Sequence, residues 1–201
     1  EDDYNLFIRT FSRYDLVSNK FIEKETIAKM LAKDFYNENK TIKEEKEINV
    51  IFAGFGKMNS SLFSLFCQNN QLVGEDSRGL KAKLVNYYIV DKDPYALNAK
   101  RLEYIVNGKT EEKLDFPEPE RLGILKTINA DINSIEAINE IKSLTKNKNV
   151  FNFIIVSYGL DYENAEVAMW LSNLLDKDNL KIAARLKYST LSDEEIIYFG
   201  N

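Results

Sequence analysis

Hydrophobic residues fall along this chain in two rhythms. Mostly apolar runs occupy 48–53, 84–90, 124–130 and 150–156, and each is ended by Gly, Asp or Ser. Runs this short, bounded by turn residues, predict strands, with those at 48–53 and 150–156 buried on both faces. Residues 181–186 read as a fifth strand and 196–199 as a sixth, and 4–12 alternate loosely as a strand would. Between the strands the spacing changes to three and four. Met58, Leu62, Leu65 and Phe66 share one helical face, as do Ile135, Ile138, Ile141 and Leu144 after Ser134, and Ala165, Ala168, Leu171 and Leu175. Further helices are predicted over about 15–22, over 25–36 with Ile27, Met30, Leu31 and Phe35 inward, and from the cap Asp93-Pro94 to about Val106. Charged segments at 37–47 and 71–83, and a Pro-containing stretch at 107–122, read as a linker and loops.

From 48 onward, strand and helix alternate four times. Right-handed crossovers turn that order into a doubly wound, mainly parallel α/β sheet of the Rossmann-like type, strand order 3-2-1-4-5 with a possible sixth strand. The expected division is an N-terminal strand-helix appendage with its linker over 1–46, then a Rossmann-like nucleotide-binding domain over 47–201. The two central strands should be 48–53 and 150–156.

At the end of the first central run stands Gly54-Phe55-Gly56-Lys57-Met58-Asn59. A buried strand, a Gly-x-Gly turn and an amphipathic helix open a dinucleotide-binding unit. Gly54 can adopt backbone angles closed to side chains, Gly56 lets a pyrophosphate approach the main chain, and the helix start offers free N–H groups to phosphates. Asn59 stands where the fingerprint has its third glycine, which implies a wider gap between helix and strand or a polar contact. Asp91 closes the second strand, where a carboxylate can accept both ribose hydroxyls. Its distance from Gly54 exceeds the usual interval because 71–83 is inserted. Asp91 should favour NAD(H), or another nucleotide with a free ribose, over NADP(H), an effect that the adjacent Lys92 could blunt.

Composition removes more than it adds. At 201 residues, 44% hydrophobic and 29% charged, the chain suits one soluble globular domain with an appendage. The net charge of −5 argues against a broad nucleic-acid footprint. No apolar run approaches the roughly 20 residues that span a bilayer, so no direct membrane insertion is expected. The opening Glu1-Asp2-Asp3-Tyr4 carries no secretory leader and suggests a piece of a longer protein. Zero histidines exclude Ser-His-Asp triads, Cys-His pairs and histidine acid–base work. Cys67, the single cysteine, reads as core. Tyr36 and Lys40 match the Tyr-x-x-x-Lys of short-chain dehydrogenases by chance, since they precede the glycine loop. Leu171 to Leu175 matches a Leu-x-x-Leu-Leu pattern and is better explained as core. Trp170 falls on the face of its helix opposite the apolar stripe, with Glu163, Glu166 and Asn173, as a lid or an interface residue.

Four elements together resemble one family: Gly54-Phe55-Gly56, Asp91, Ala130-Asp131, and Gly159-Leu160-Asp161-Tyr162-Glu163-Asn164, with Ala184-Arg185 also similar. The chain resembles, over about residues 48–188, the TrkA-N or RCK N-terminal domain, the regulatory nucleotide-binding module of bacterial potassium transporters and channels. The resemblance implies a cofactor-binding set of Gly54, Phe55, Gly56, Lys57, Met58, Asn59, Asp91, Lys92, Asp131, Ser157, Tyr158 and Gly159. It implies NAD(H) or another adenine nucleotide as ligand, no catalytic residue set and no metal. It also implies a homodimer or a larger chain, and a cytoplasmic place, as the water-facing part of a membrane-associated system. Two alternatives stay open: a degenerate Rossmann domain that only makes protein contacts, which Asn59 favours, and a fragment of an NAD-dependent oxidoreductase.

Overall fold

The computed structural model describes residues 13–69, 71–93, 123–176, 178–187 and 194–199. The runs read as strands become β1 (Glu47–Ala53), β4 (Asn86–Asp91), β5 (Leu125–Asn129), β6 (Val150–Val156), β7 (Leu180–Lys187) and β8 (Glu194–Phe199). They form one sheet in the order β5-β4-β1-β6-β7-β8. Its first five strands are parallel, and β8 joins β7 antiparallel at the edge. The expected order 3-2-1-4-5 is therefore the observed one, with the sixth strand added. β1 and β6 are paired in the centre.

Strand alternation sorts the core into two chemistries. Even positions of β1 and odd positions of β6 (Phe52, Phe151, Phe153) point to a face where aromatic rings dominate, joined by Phe63 and Phe66 of α3 (Lys57–Asn69) and by Tyr87. Phe63 meets Phe52 and Tyr87 edge-on, with centroids 5.9 and 5.2 Å apart, the arrangement ring quadrupoles prefer. α1 (Arg13–Lys24) lies against α3 on this side, and its Phe21 stacks at 6.3 Å on Phe153. The opposite face is almost wholly aliphatic: Ile51, Val90, Ile128, Ile154, Val156 and Ile182 pack beneath α4 (Ile135–Thr145) and α5 (Asp161–Leu174).

Three asparagines cross this aliphatic face near the N-terminal ends of the strands. Asn49 pairs in register with Asn86 on one side and Asn152 on the other. The Asn49 amide donates to Asn152 Oδ1 at 3.0 Å, and the Asn86 amide donates to Asn49 Oδ1 at 3.1 Å. Asn49 and Asn152 are buried, so these bonds replace the water they exclude.

Four expectations need correction. The helix read over 25–36 stops early: α2 (Ile27–Met30) is a single turn, Leu31 is extended, and a 3-10 turn covers Lys33–Phe35. Ile27, Leu31 and Phe35 are all buried, as expected, but by a broken path. Burial wins here over a helix too short to propagate. The presumed linker 37–47 is folded onto the body, with Ile42 bridging both Tyr36 and Gly74, and Lys46 buried. Lys46 Nζ sits 2.8 Å from Asp34 and 4.5 Å over the Phe35 ring, so its charge is paired twice.

The loop at 71–83 is a hairpin, β2 (Leu72–Asp76) and β3 (Gly79–Lys83), antiparallel. Its turn is fixed by Asp76 Oδ1 accepting from the Arg78 amide at 2.7 Å and by Gly79 at φ +116°. Finally, Ile135 is 77% exposed, while Ala137, Ile141 and Thr145 face inward. Six residues before Ile141, Ile135 lies about 240° around the helix and misses the stripe. In α5 the buried face is Asn164, Val167, Ala168, Leu171 and Ser172, with Ala165 half-buried. Residues 4–12, the helix after Asp93 and the loop at 107–122 lie outside the described residues.

Candidate functional site

The glycine loop stands at the C-terminal end of β1, between β4 and β6, which is where the sheet order reverses. Gly54 has φ +85°, and a Cβ there would collide with the Cβ of Tyr158 and lie 2.7 Å from Ser157 O and Tyr158 Cα. Glycine at 54 is thus required by the turn after β6 as well as by its own backbone angles. Gly56 differs. It is exposed, its φ is not positive, and nothing lies within 4 Å of where a Cβ would be.

Asp91 is placed against this loop by the register of β4 on β1. Its Oδ2 accepts from the Phe55 amide at 2.6 Å, and its Oδ1 accepts from the Asp93 amide at 2.8 Å. A carboxylate has about four lone-pair positions, so two acceptor positions remain for hydroxyl donors. Gly54, Val90, Asp91, Lys92, Asp131, Ile132 and Tyr158 together line a cleft of about 60 Å³. Lys92 Nζ lies 3.5 Å from Asp131. The Asp131 carboxyl is held below its ordinary pKa, first by the Asn133 amide that donates to it and then by the Lys92 charge.

The structure brings five of the twelve predicted residues to the cleft wall: Gly54, Asp91, Lys92, Asp131 and Tyr158. Ser157 and Gly159 continue the turn beside it. Ser157 donates its amide to Ala53 O at 2.9 Å. Lys57 is exposed at the start of α3, with Nζ 6.0 Å from the Tyr14 ring. Three side chains point elsewhere. Phe55 is buried in the aromatic cluster against Phe52 and Phe63, and Met58 is buried with its sulfur accepting from the Ser18 hydroxyl at 3.3 Å.

Asn59 is fully buried. Its amide donates to Gly54 O at 2.7 Å and to Ile155 O at 3.2 Å. The polar contact expected of it is therefore present. It ties helix, loop and β6 together where a third glycine would have allowed only close approach. Among the described residues its Oδ1, which is buried, has no hydrogen-bond partner.

Asn164 stands in the resembling motif but not in the expected cofactor-binding set. Fully buried in the first turn of α5, it accepts through Oδ1 from the Tyr158 and Gly159 amides at 3.0 and 3.2 Å. Its Nδ2 donates to Gly159 O and Arg185 O at 3.2 and 3.0 Å. One side chain thus sets the turn after β6 and fastens it to β7. A signal was available: an asparagine on the apolar stripe of a helix, beside a glycine turn, is out of place unless it caps something. Glu163 completes the helix start by accepting from the Leu160 amide at 2.6 Å.

A larger hollow of about 490 Å³ adjoins the cleft, sharing Tyr158 with it. Its other walls are Asn133 after β5 and Tyr162, Glu163, Glu166, Val167 and Trp170 of α5. Trp170, read from the sequence as a lid or an interface residue, is half-buried against the aliphatic core and lines this hollow with Glu163 and Glu166. The Tyr36 hydroxyl is spent on Ala28 O at 2.7 Å, in keeping with a chance match at Tyr36 and Lys40. Among the described residues no cluster of acidic or thiol groups could hold a metal ion, and no helix is long and apolar enough to cross a membrane. Comparison with protein-family models, with curated proteins and with solved structures returns no match for this chain.

Proposed function

We propose that this chain is a nucleotide-binding regulatory domain, akin to the potassium-transport modules it resembles, with NAD(H) or another adenine nucleotide as ligand. The observation that carries the reading is the pairing of an open Gly56 with an Asp91 carboxylate 2.6 Å from the Phe55 amide, at the reversal point of the parallel sheet. Phosphate would rest over Gly56 and the start of α3, where amides and helix dipole favour negative charge. The ribose hydroxyls would take the remaining lone pairs of Asp91. A 2′-phosphate would meet that carboxylate directly, which disfavours NADP(H).

One observation favours a second reading, a domain that only makes protein contacts. The cleft at the loop holds about 60 Å³, well below the several hundred that enclose a small ligand. A nucleotide must therefore widen it or lie across its mouth. Calorimetric titration with NADH, ATP and NADPH separates the two readings. Saturable binding of NADH or ATP, at least tenfold tighter than NADPH, supports the proposal. No heat at millimolar nucleotide transfers the assignment to the contact domain.

A further inference from the structure

The 490 Å³ hollow beside the cleft has a composition of its own. Tyr162, Glu166 and Trp170 follow one another at four-residue intervals, so they form a single ridge along α5. Tyr158 and Asn133 close the end nearest the sheet, and Val167 forms the floor with the aliphatic core behind it. Among the described residues, three aromatic side chains and two carboxylates line the space, and no lysine or arginine does. Glu163 spends one oxygen on the Leu160 amide, while Glu166 is exposed and makes no ion pair among the described residues.

We propose that this hollow binds a small organic cation, an ammonium head carried on a short apolar stem. Aromatic faces attract a cation through their quadrupoles, and a nearby carboxylate adds a Coulomb term that a neutral ligand cannot collect. The same carboxylates repel phosphate, so the hollow is not an extension of an anion site at the glycine loop. Its volume lies within the range of small-molecule pockets, which favours a free amine over the tip of a protein side chain. Because Tyr158 lines both spaces, a cation seated here would touch the residue that packs against Gly54.

Trp170 is the only tryptophan in the chain, so all tryptophan emission comes from a wall of this hollow. The experiment titrates the whole chain, free of nucleotide, with choline and with n-butylammonium, following Trp170 emission. In parallel it uses 3,3-dimethylbutan-1-ol, the uncharged isostere of choline, and a lysine-bearing peptide. A saturable change with either ammonium is expected, absent for the isostere at tenfold higher concentration. Glu166→Gln and Tyr162→Leu should each weaken binding about two- to fivefold. Both positions are exposed, and far-ultraviolet circular dichroism checks that each variant folds. The proposal is overturned by an equal response to the isostere, by a response to the peptide alone, by affinity unchanged in both variants, or by silence from both amines. None of these outcomes depends on nucleotide binding, which the titration with NADH and ATP decides separately.

Discussion

The two glycines of the loop should part company when replaced by alanine. Gly54→Ala carries two costs. Its φ of +85° lies on the left-handed side, where a side chain costs roughly 1–2 kcal/mol. The new methyl group would also meet Ser157 O and Tyr158 Cα at 2.7 Å, and displacing that turn costs a further ~1–3 kcal/mol. Together these give about 2–5 kcal/mol, which for a domain near this size lowers Tm by roughly 4–20 °C. Gly56→Ala meets no neighbour within 4 Å, so its effect on stability should stay within about 1 kcal/mol, of either sign.

Its effect on ligand should be larger, since the methyl group occupies the approach proposed for phosphate. The assay is urea unfolding of parent and both variants, followed by thermal melts with and without NADH and ATP. Equal loss of stability in the two variants would refute the structural distinction. A full nucleotide-dependent rise in Gly56→Ala would refute the phosphate position.

Three further outcomes are expected. Asn59→Ala removes the donor that serves Gly54 O and Ile155 O and should cost about 1–3 kcal/mol in urea unfolding; Asn59→Gly, which restores the third glycine, should be no better, and a stabilised Asn59→Gly would contradict the role given to the amide. Asn49→Val leaves the Asn152 and Asn86 amides without their partner and should cost ~1–3 kcal/mol, a loss that a neutral result in the same measurement would rule out. Burial raises the pKa of the Cys67 thiol to about 12, with the Tyr87 hydrogen bond opposing more weakly. Iodoacetamide at pH 8 should therefore label Cys67 only after unfolding. A raised pKa also means that its contribution to stability is complete below about pH 9 and is lost as pH climbs toward 12. Labelling of the folded protein at the rate of free cysteine would contradict the burial.

The sheet was legible because its central strands, β1 and β6, are buried on both faces. Runs such as Val150 to Val156 admit few other readings, and the crossover rule then leaves one order. What failed was local. Ile135 looks like part of a stripe until the phase of Ile141 is known. The hairpin at 72–83 was hidden because Val73, Leu80, Lys81 and Ala82 are exposed, so no buried pattern marks its strands. At the loop, Gly54 and Asp91 could be placed from their positions at the ends of the first two strands, whereas the side chains of Phe55 and Met58 could not. A residue inside a glycine motif presents its backbone to the site, and where its side chain goes depends on the packing behind it. The ridge of Tyr162, Glu166 and Trp170 becomes meaningful only when α5 is seen beside the turns after β5 and β6.

The row of asparagines bears on how the sheet finds its own alignment. A one-residue slip between β1 and β6 would swing aromatic side chains into the aliphatic layer and is blocked by shape. A two-residue slip is a different hazard, because it preserves the alternation: in one direction it sets Ile51 against Asn152 and Asn49 against Val150, and in the other it sets Asn49 against Ile154 and Asn152 against Glu47. In either misaligned sheet, however, the Asn49 amide would lie beside an aliphatic side chain, and its pairing with Asn152 would be lost. Each abandoned amide costs about 1–3 kcal/mol, enough to make the competitor short-lived. The three residues act as a key cut across the strands, and their contribution is to empty the neighbouring minimum during folding more than to deepen the native one.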